Sequence, residues 1–439
     1  MKKTFCLLIT ALLLLLTACT GSGDSAYDET YDEMNPTPVP TENSGESTEL
    51  TGELTLTSAT PPEYNFLKFY GDLFMKEHPG VTIIYNMPED RESAAAFEEQ
   101  MILSFYSNTG GDIYDMLEMD YQKVARSGMF MDMYYLMNED EDFDPNDYYT
   151  NVWEAMEVDG KLYTMPSGFC YDIVQLNLEA TEGIGFEPKL GDSIDYIELK
   201  KLYLEAVDKG LLVPDANIIT GLNPNYIDSI ETPNRFMDVS SITSSFDSDD
   251  FFSYYRDTRE NDLFTSKYPM PVAGNLDETS FGTLTTSQYA TWQAGQLPME
   301  DVQSLNKTLP LKLDSSTGNH IFRRGSSMAI HSLSKYQQLP WEFVKFVIEE
   351  KDLKTALDID TKAWDMISQF PINKNNCRKI MEITSSPESA DYIDSLNSQL
   401  DTQVLDFGLV TFAEEIGNMS AEEVGKFMQE KAETYFGEW

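Results

Sequence analysis

Cations, cysteine and histidine are all scarce in this chain of 439 residues, and each scarcity narrows what it can do. Thirty Lys and Arg stand against 75 Asp and Glu, a formal net charge of -45 at pH 7. Such a surface repels phosphate backbones and anionic headgroups, so nucleic acid is not expected as a partner. The acids are spread along the whole chain, which reads as a solvated face. His78, His320 and His331 lie far apart and show no metal-ligand spacing, so no metal site and no cofactor are expected. There is no phosphate-cradling P-loop, no Gly-x-Ser-x-Gly nucleophile elbow and no internal repeat, and no residue is assigned a catalytic role. Of the four cysteines, Cys6 and Cys19 fall near the start, leaving Cys170 and Cys377. Two distant cysteines do not make a scaffold, and a disulfide or two buried thiols are both open readings.

An apolar run does stand out near the start. Phe5 to Leu16 follows Lys2-Lys3 and falls short of the about 20 residues that a bilayer-spanning helix needs. A basic start, a short apolar stretch and small residues at its end match a secretory signal, which is removed and does not enter the fold. Leu16-Thr17-Ala18-Cys19 resembles a bacterial lipobox. That resemblance implies cleavage of residues 1–18 as a signal peptide and lipidation of Cys19, palmitate included. Two acyl chains anchor a protein stably without any spanning helix. The expected location is the outside of a bacterial cell membrane. Residues 19–50 hold Gly, Ser, Thr, Pro and eight acidic residues with no Lys or Arg, and read as a disordered acidic tether.

About 420 residues follow Cys19, enough for two or three domains or for two lobes that share strands. Leu54 to Thr57 alternates like a strand, and Phe66, Leu67, Tyr70, Leu73 and Phe74 share one helical face. His78-Pro79-Gly80 stops that helix, with His78 a turn residue, and Val81 to Tyr85 reads as a second strand. Ala94, Phe97, Met101, Ile102 and Phe105 stripe a second helix, and Asp112 to Met119 reads as a third strand. Strand, helix, strand, helix, strand is the pattern of a parallel sheet covered by helices. Tyr196 to Lys209, Trp341 to Lys351 and Ala421 to Phe436 have helical spacing, with Pro340 tolerated near a first turn. Residues 214–290, rich in Asn, Ser, Asp and Thr, give no clear element. Asp140-x-Asp142-x-Asp144-Pro145-Asn146 resembles the start of a calcium loop, but Pro145 and Asn151 stand where Gly and Glu are needed, so it reads as a solvated turn.

Several segments in order resemble the extracellular solute-binding proteins of ABC importers, the family whose best-known members bind maltose and other sugars. They are Phe74 to Tyr85, Gly110 to Met119, Val124 to Met137, Asp159 to Pro166, Arg323 to Lys335, Pro340 to Glu350 and Phe370 to Lys374. Where the family commonly carries Tyr-Asn-Lys after the crossover, this chain has Leu176-Asn177-Leu178. The resemblance implies a two-lobed α/β fold of the periplasmic-binding-protein type II class, with parallel-type sheets flanked by helices and a hinge between lobes. Residues 51–165 would form the N-terminal lobe, 166–330 mainly the C-terminal lobe, and 331–439 helical segments completing both. The implied function is capture of a small solute, with a sugar or oligosaccharide the expected class, for an ABC permease.

In such sheets ligands bind beyond the carboxyl ends of the strands. That rule selects Glu63, Tyr64, Asp120 and Tyr121, with helix capping the competing role for Glu63 and Asp120. The crossover loop adds Phe169, Tyr171 and Asp172, and Tyr289, Trp292 and Trp364 are candidates for stacking on a sugar from the second lobe, with core packing the competing role. Two other readings are an anchored polysaccharide hydrolase using paired carboxylates, and a surface sensor or scaffold lipoprotein on a degenerate solute-binding body.

Overall fold

The computed structural model describes residues 49–63, 65–107, 109–116, 121–187, 194, 196–212, 217–220, 235–238, 241–259, 280–286, 308–310, 320–335, 337–349, 370–384, 391, 394, 397–398, 402–404 and 419–437. Alternation sets its first strand, β1 (Thr51–Thr57), where Leu54 and Leu56 are buried. Asn65 caps α1 (Phe66–Glu77) by accepting the Lys68 N–H at 2.8 Å. Leu67, Tyr70 and Phe74 are the buried face of that helix, and His78 ends it, its N–H bonded to the Phe74 carbonyl at 2.8 Å. Strand β2 (Gly80–Asn86) follows, then α2 (Arg91–Tyr106), which opens on a capping box between Asp90 and Ser93. Met101 and Phe105 of α2 are buried, whereas Ile102 faces outward. Strand β3 (Ile113–Asp115) is shorter than its apolar run. Short helices α3 (Tyr121–Ala125), α4 (Met133–Glu139) and α5 (Thr150–Ala155) lead to β4 (Met165–Pro166) and the long β5 (Gly168–Leu176).

Beyond β5 come α6 (Leu178–Ile184), α7 (Tyr196–Asp208), β6 (Asn217–Thr220), β7 (Met237–Asp238), β8 (Thr243–Ser244) and α8 (Asp249–Arg259). Then come β9 (Ser280–Thr286), β10 (Thr308–Pro310), β11 (His320–Arg324), β12 (Ser327–Ile330) and α9 (Gln338–Glu349). The last described elements are β13 (Phe370–Pro371), α10 (Lys374–Thr384), β14 (Thr402–Val404) and α11 (Ala421–Gly437). Elements β6 to β9 occupy the stretch in which composition shows no pattern.

Both large sheets are mixed, a departure from the parallel sheets expected. The first has the order β2-β1-β3-β12-β4. Its β1, β2 and β3 are parallel, and β12 enters antiparallel between β3 and β4. The second has the order β14-β11-β5-β9-β6, with β10 and β13 also paired to β5. The reason is β5, which runs antiparallel to β9, β10, β11 and β13. Phe169 and Tyr171 of β5 belong to a first core with Leu54, Phe74, Phe105, Trp153, Phe343 and Val344. Leu176, at its other end, belongs to a second core with Tyr203, Phe246, Phe251, Val424 and Met428. One strand therefore serves both hydrophobic bodies. Cys170 and Cys377 are both buried thiols, and no disulfide joins them. In the acidic loop, the Asp140 carboxylate pairs with Lys345 at 2.6 Å and accepts the Trp341 indole N–H at 2.8 Å, while Asp144 caps the one-turn helix Pro145–Asp147. Among the described residues no helix is long and apolar enough to cross a membrane.

Candidate functional site

The order β2-β1-β3 sends the chain to opposite sides of β1, and such a reversal opens a crevice beyond the carboxyl ends of the two strands flanking it. Here those strands are β1 and β3, and buried polar side chains join their ends. Ser58 follows β1 and Asp115 ends β3; the Ser58 hydroxyl donates to Asp115 Oδ2 at 2.9 Å. The same hydroxyl accepts the Thr60 N–H at 3.1 Å and the Asn65 amide at 2.7 Å, so its donor and both lone pairs are used. Asn65 Nδ2 also lies 3.4 Å from Asp115 Oδ2, and Asn65 Oδ1 caps α1. Ser58 and Asn65 are 1% exposed and Asp115 3%, burial that small polar groups tolerate because each is hydrogen-bonded. The turn over this network, residues 59–63, is thereby tied at both ends.

Next to it the chain crosses between the two sheets. The Met116 N–H donates to Ser327 O at 2.8 Å, joining the end of β3 to the start of β12. Buried Arg324 donates to the Ser327 hydroxyl. Ser167, between β4 and β5, donates through both its N–H (2.9 Å) and its hydroxyl (2.8 Å) to Ser326 O, and its own carbonyl accepts the Ile372 N–H at 3.2 Å. Gly325 N–H donates to Gly168 O at 2.7 Å. Three passages of chain, at 166–168, 325–327 and 371–372, are thus bonded to one another at a single place.

A second polar set lies against the first core below β5. Tyr149 donates to Asp394 at 2.6 Å, and Tyr171 to Asn397 Oδ1 at 2.8 Å. Asn397 Nδ2 points at Cys377 Sγ, 3.9 Å away. Complete burial pushes the Cys377 thiol up to about 12, so it is an inert structural thiol at neutral pH. Burial also raises the Tyr149 phenol well above its usual range, with the neighbouring Cys377 and Asp394 adding to the effect, which keeps it a neutral hydrogen-bond donor.

Of the residues selected from sequence, Glu63 is exposed in the turn that Ser58 and Asn65 tie down. Asn65, and not Glu63, caps the helix. Tyr121 begins α3, but its side chain lies outside the described residues, as do Tyr64 and Asp120. Phe169 and Tyr171 are 1% exposed, packed with Tyr149 and Phe370. Asp172 lies on β5 opposite Thr286. Tyr289, Trp292, Trp364 and Cys19 fall outside the described residues. Ser58, Asn65 and Asp115 were not among the selected residues. One signal marks them: Asp115 is a carboxylate inside an otherwise apolar strand, Ile113 to Met116, and Asn65 directly precedes a helical stripe.

No family model and no curated protein matches the chain. Solved structures do. The sugar-binding protein MalE from the phytopathogen Xanthomonas citri superposes with a TM-score of 0.58 at 13% identity, covering 88% of this chain and 98% of that one. An extracellular solute-binding protein of family 1 from Alicyclobacillus acidocaldarius gives 0.57 at 13% identity, with 88% and 98% covered. An ABC substrate-binding protein from Listeria monocytogenes in complex with cycloalternan gives 0.52 at 13% identity, with 88% and 99% covered. Their likeness extends over 88% of this chain and nearly the whole of each neighbour, and the chain has the two-lobed type II fold of periplasmic-binding proteins.

Proposed function

We propose that this protein is a membrane-anchored, extracytoplasmic binding lipoprotein that captures a small carbohydrate and delivers it to an ABC permease, without catalysing a reaction. The observation that carries the reading is the saturated Ser58–Asn65–Asp115 network at the β1/β3 reversal, on a fold shared with proteins described as sugar-binding. A sugar hydroxyl is recognised by donors and acceptors held at fixed positions, and its C–H faces by aromatic rings. The tied turn carries exposed Glu63, with Tyr64 next in sequence, and Asp120 and Tyr121 come after β3 in sequence. Asp172, Tyr289, Trp292 and Trp364 complete the candidate set, whereas Phe169 and Tyr171 are taken up in the first core. On this reading the lobes divide near residues 165 and 330, and the chain passes between the two sheets at 166–168 and 325–327. Hinge closure around a ligand is the behaviour of this architecture, and a permease can respond to it only if ligand favours the closed state.

Titration calorimetry against a panel of mono- and oligosaccharides, with small-angle scattering of each mixture, tests the reading. Saturable binding of at least one sugar with a smaller radius of gyration is expected. Heat from no sugar, together with an unchanged radius, would overturn it, and release of reducing ends from an oligosaccharide would assign an enzyme instead. Incorporation of labelled palmitate that is lost in Cys19→Ala tests the anchor.

A further inference from the structure

We propose that Asp115 is a positioning residue that couples the 59–63 turn to the crossing between the two sheets. The proposal rests on reading that turn as part of the ligand site. Its physical basis is an unbroken chain of short bonds. Thr60 N–H and the Asn65 amide converge on the Ser58 hydroxyl, at 3.1 and 2.7 Å, and Ser58 hands its proton to Asp115 Oδ2 at 2.9 Å. Asp115 ends β3, and the next backbone N–H, that of Met116, is held by Ser327 O at 2.8 Å. Ser327 pairs with Pro166, and its neighbour Ser326 takes both donors of Ser167. From the turn to the crossing, every link is buried or backbone, so neither water nor a side-chain rotation can absorb a displacement between them. At Asp115 side-chain bonds to the turn meet backbone bonds to the crossing. A ligand that shifts Thr60 or Asn65 therefore biases the dihedrals at 326–327 through Asp115. The carboxylate touches no ligand in this scheme and acts through Ser58.

Amide hydrogen exchange of the purified, sugar-free protein tests this without knowing the ligand. In Asp115→Ala, peptides containing Thr60 and Lys68 and peptides containing Ser167 and Gly325 should exchange faster together, by about threefold to tenfold, the factor that loss of one buried hydrogen bond supplies. Peptides from α11 should be unchanged. Asp115→Asn, which keeps an acceptor oxygen for Ser58, should restore most of the protection at both places. If Asp115→Ala does not fold, Ser58→Ala, which cuts the same chain one bond earlier, should accelerate the same two groups of peptides. Acceleration confined to the turn would overturn the coupling, and equal acceleration across α11 would reduce Asp115 to a general stabiliser. Because no sugar is present, a failed sugar titration and a failed coupling are separate outcomes.

Discussion

In the first core Ser58, Asn65, Asp115, Ser327 and His331 are buried and hydrogen-bonded among the aliphatic and aromatic side chains. In the second, Phe236, Phe246, Phe251, Tyr254 and Val424 close by ring and methyl contacts, and the buried polar side chain among its described residues is Thr181. Burying polar groups gains little net free energy, about 0.5–1.5 kcal/mol per hydrogen bond, but it fixes positions to tenths of an ångström. The second core gains its stability chiefly from buried area. Position matters at the β1/β3 reversal and the crossing; elsewhere contact suffices.

Three substitutions press on this contrast. Phe251→Ala should act hardest, because the ring is fully buried between Phe236, Phe246 and Tyr255; about 3–5 kcal/mol is expected, read from urea unfolding. If the cores are separate, β1 amides keep their exchange protection in that variant; their loss in step with α11 would show one cooperative body. Gly425→Ala comes next. An added Cβ would lie 2.4 Å from the Phe246 carbonyl and 2.5 Å from Phe252 Cε1, forcing α11 off α8. About 1–3 kcal/mol of overpacking should outweigh the better helix propensity of alanine. A Tm equal to wild type would show that the second core yields where the first would not.

The smallest effect should come from the first core and depend on pH. His331 is buried against Phe105, its Nδ1 accepting the Leu333 N–H at 3.1 Å and its Nε2 3.3 Å from the Phe105 carbonyl, an arrangement that only the neutral ring satisfies. Burial lowers its folded pKa below the ordinary 6.5, although the Phe105 contact and Asp112 act in the opposite direction. The unfolded chain then binds the proton more readily than the native one, so stability is full above pH about 6.5 and falls as acid carries the ring through its lower folded pKa. Melting curves should drop between pH 7 and about 5, less steeply in His331→Asn, whose amide oxygen accepts the same N–H without a charge. Equal slopes in the two proteins would remove His331 as the cause.

How much of this was legible before any coordinates follows from what each element depends on. Strands β1 and β2 show in the alternation around Leu54 and Ile83, because one face is buried, and the stop at His78-Pro79 is local chemistry. Ile102 was counted into a buried stripe because periodicity gives the face of a helix but not its width; Met101 and Phe105 already fill the contact. Strand β3 ends at Asp115, where Ser327, more than two hundred residues away, takes the Met116 N–H, and residues 117–119 of the expected strand lie outside the described residues. The equally distant β12 makes the first sheet mixed, and β5 the second. In the middle region α8 carries buried Phe251, Tyr254 and Tyr255 at helical spacing, visible once sought, but its polar flanks hid it. The strand-end rule points to the turn after β1 and its exposed Glu63, while the residues that tie the turn, Ser58 and Asn65, look like any loop until Asp115 is brought against them.

The insertion of β12 between β3 and β4 also governs when this chain can fold. The first sheet is complete only after residue 330 has been made, and β5 cannot gather its partners β11 and β13 until residues 320–324 and 370–371 exist. Pairings of such sequence separation are slow to form. A ribosome will have released most of the chain before either sheet can close, so the early strands must wait for partners that are made last.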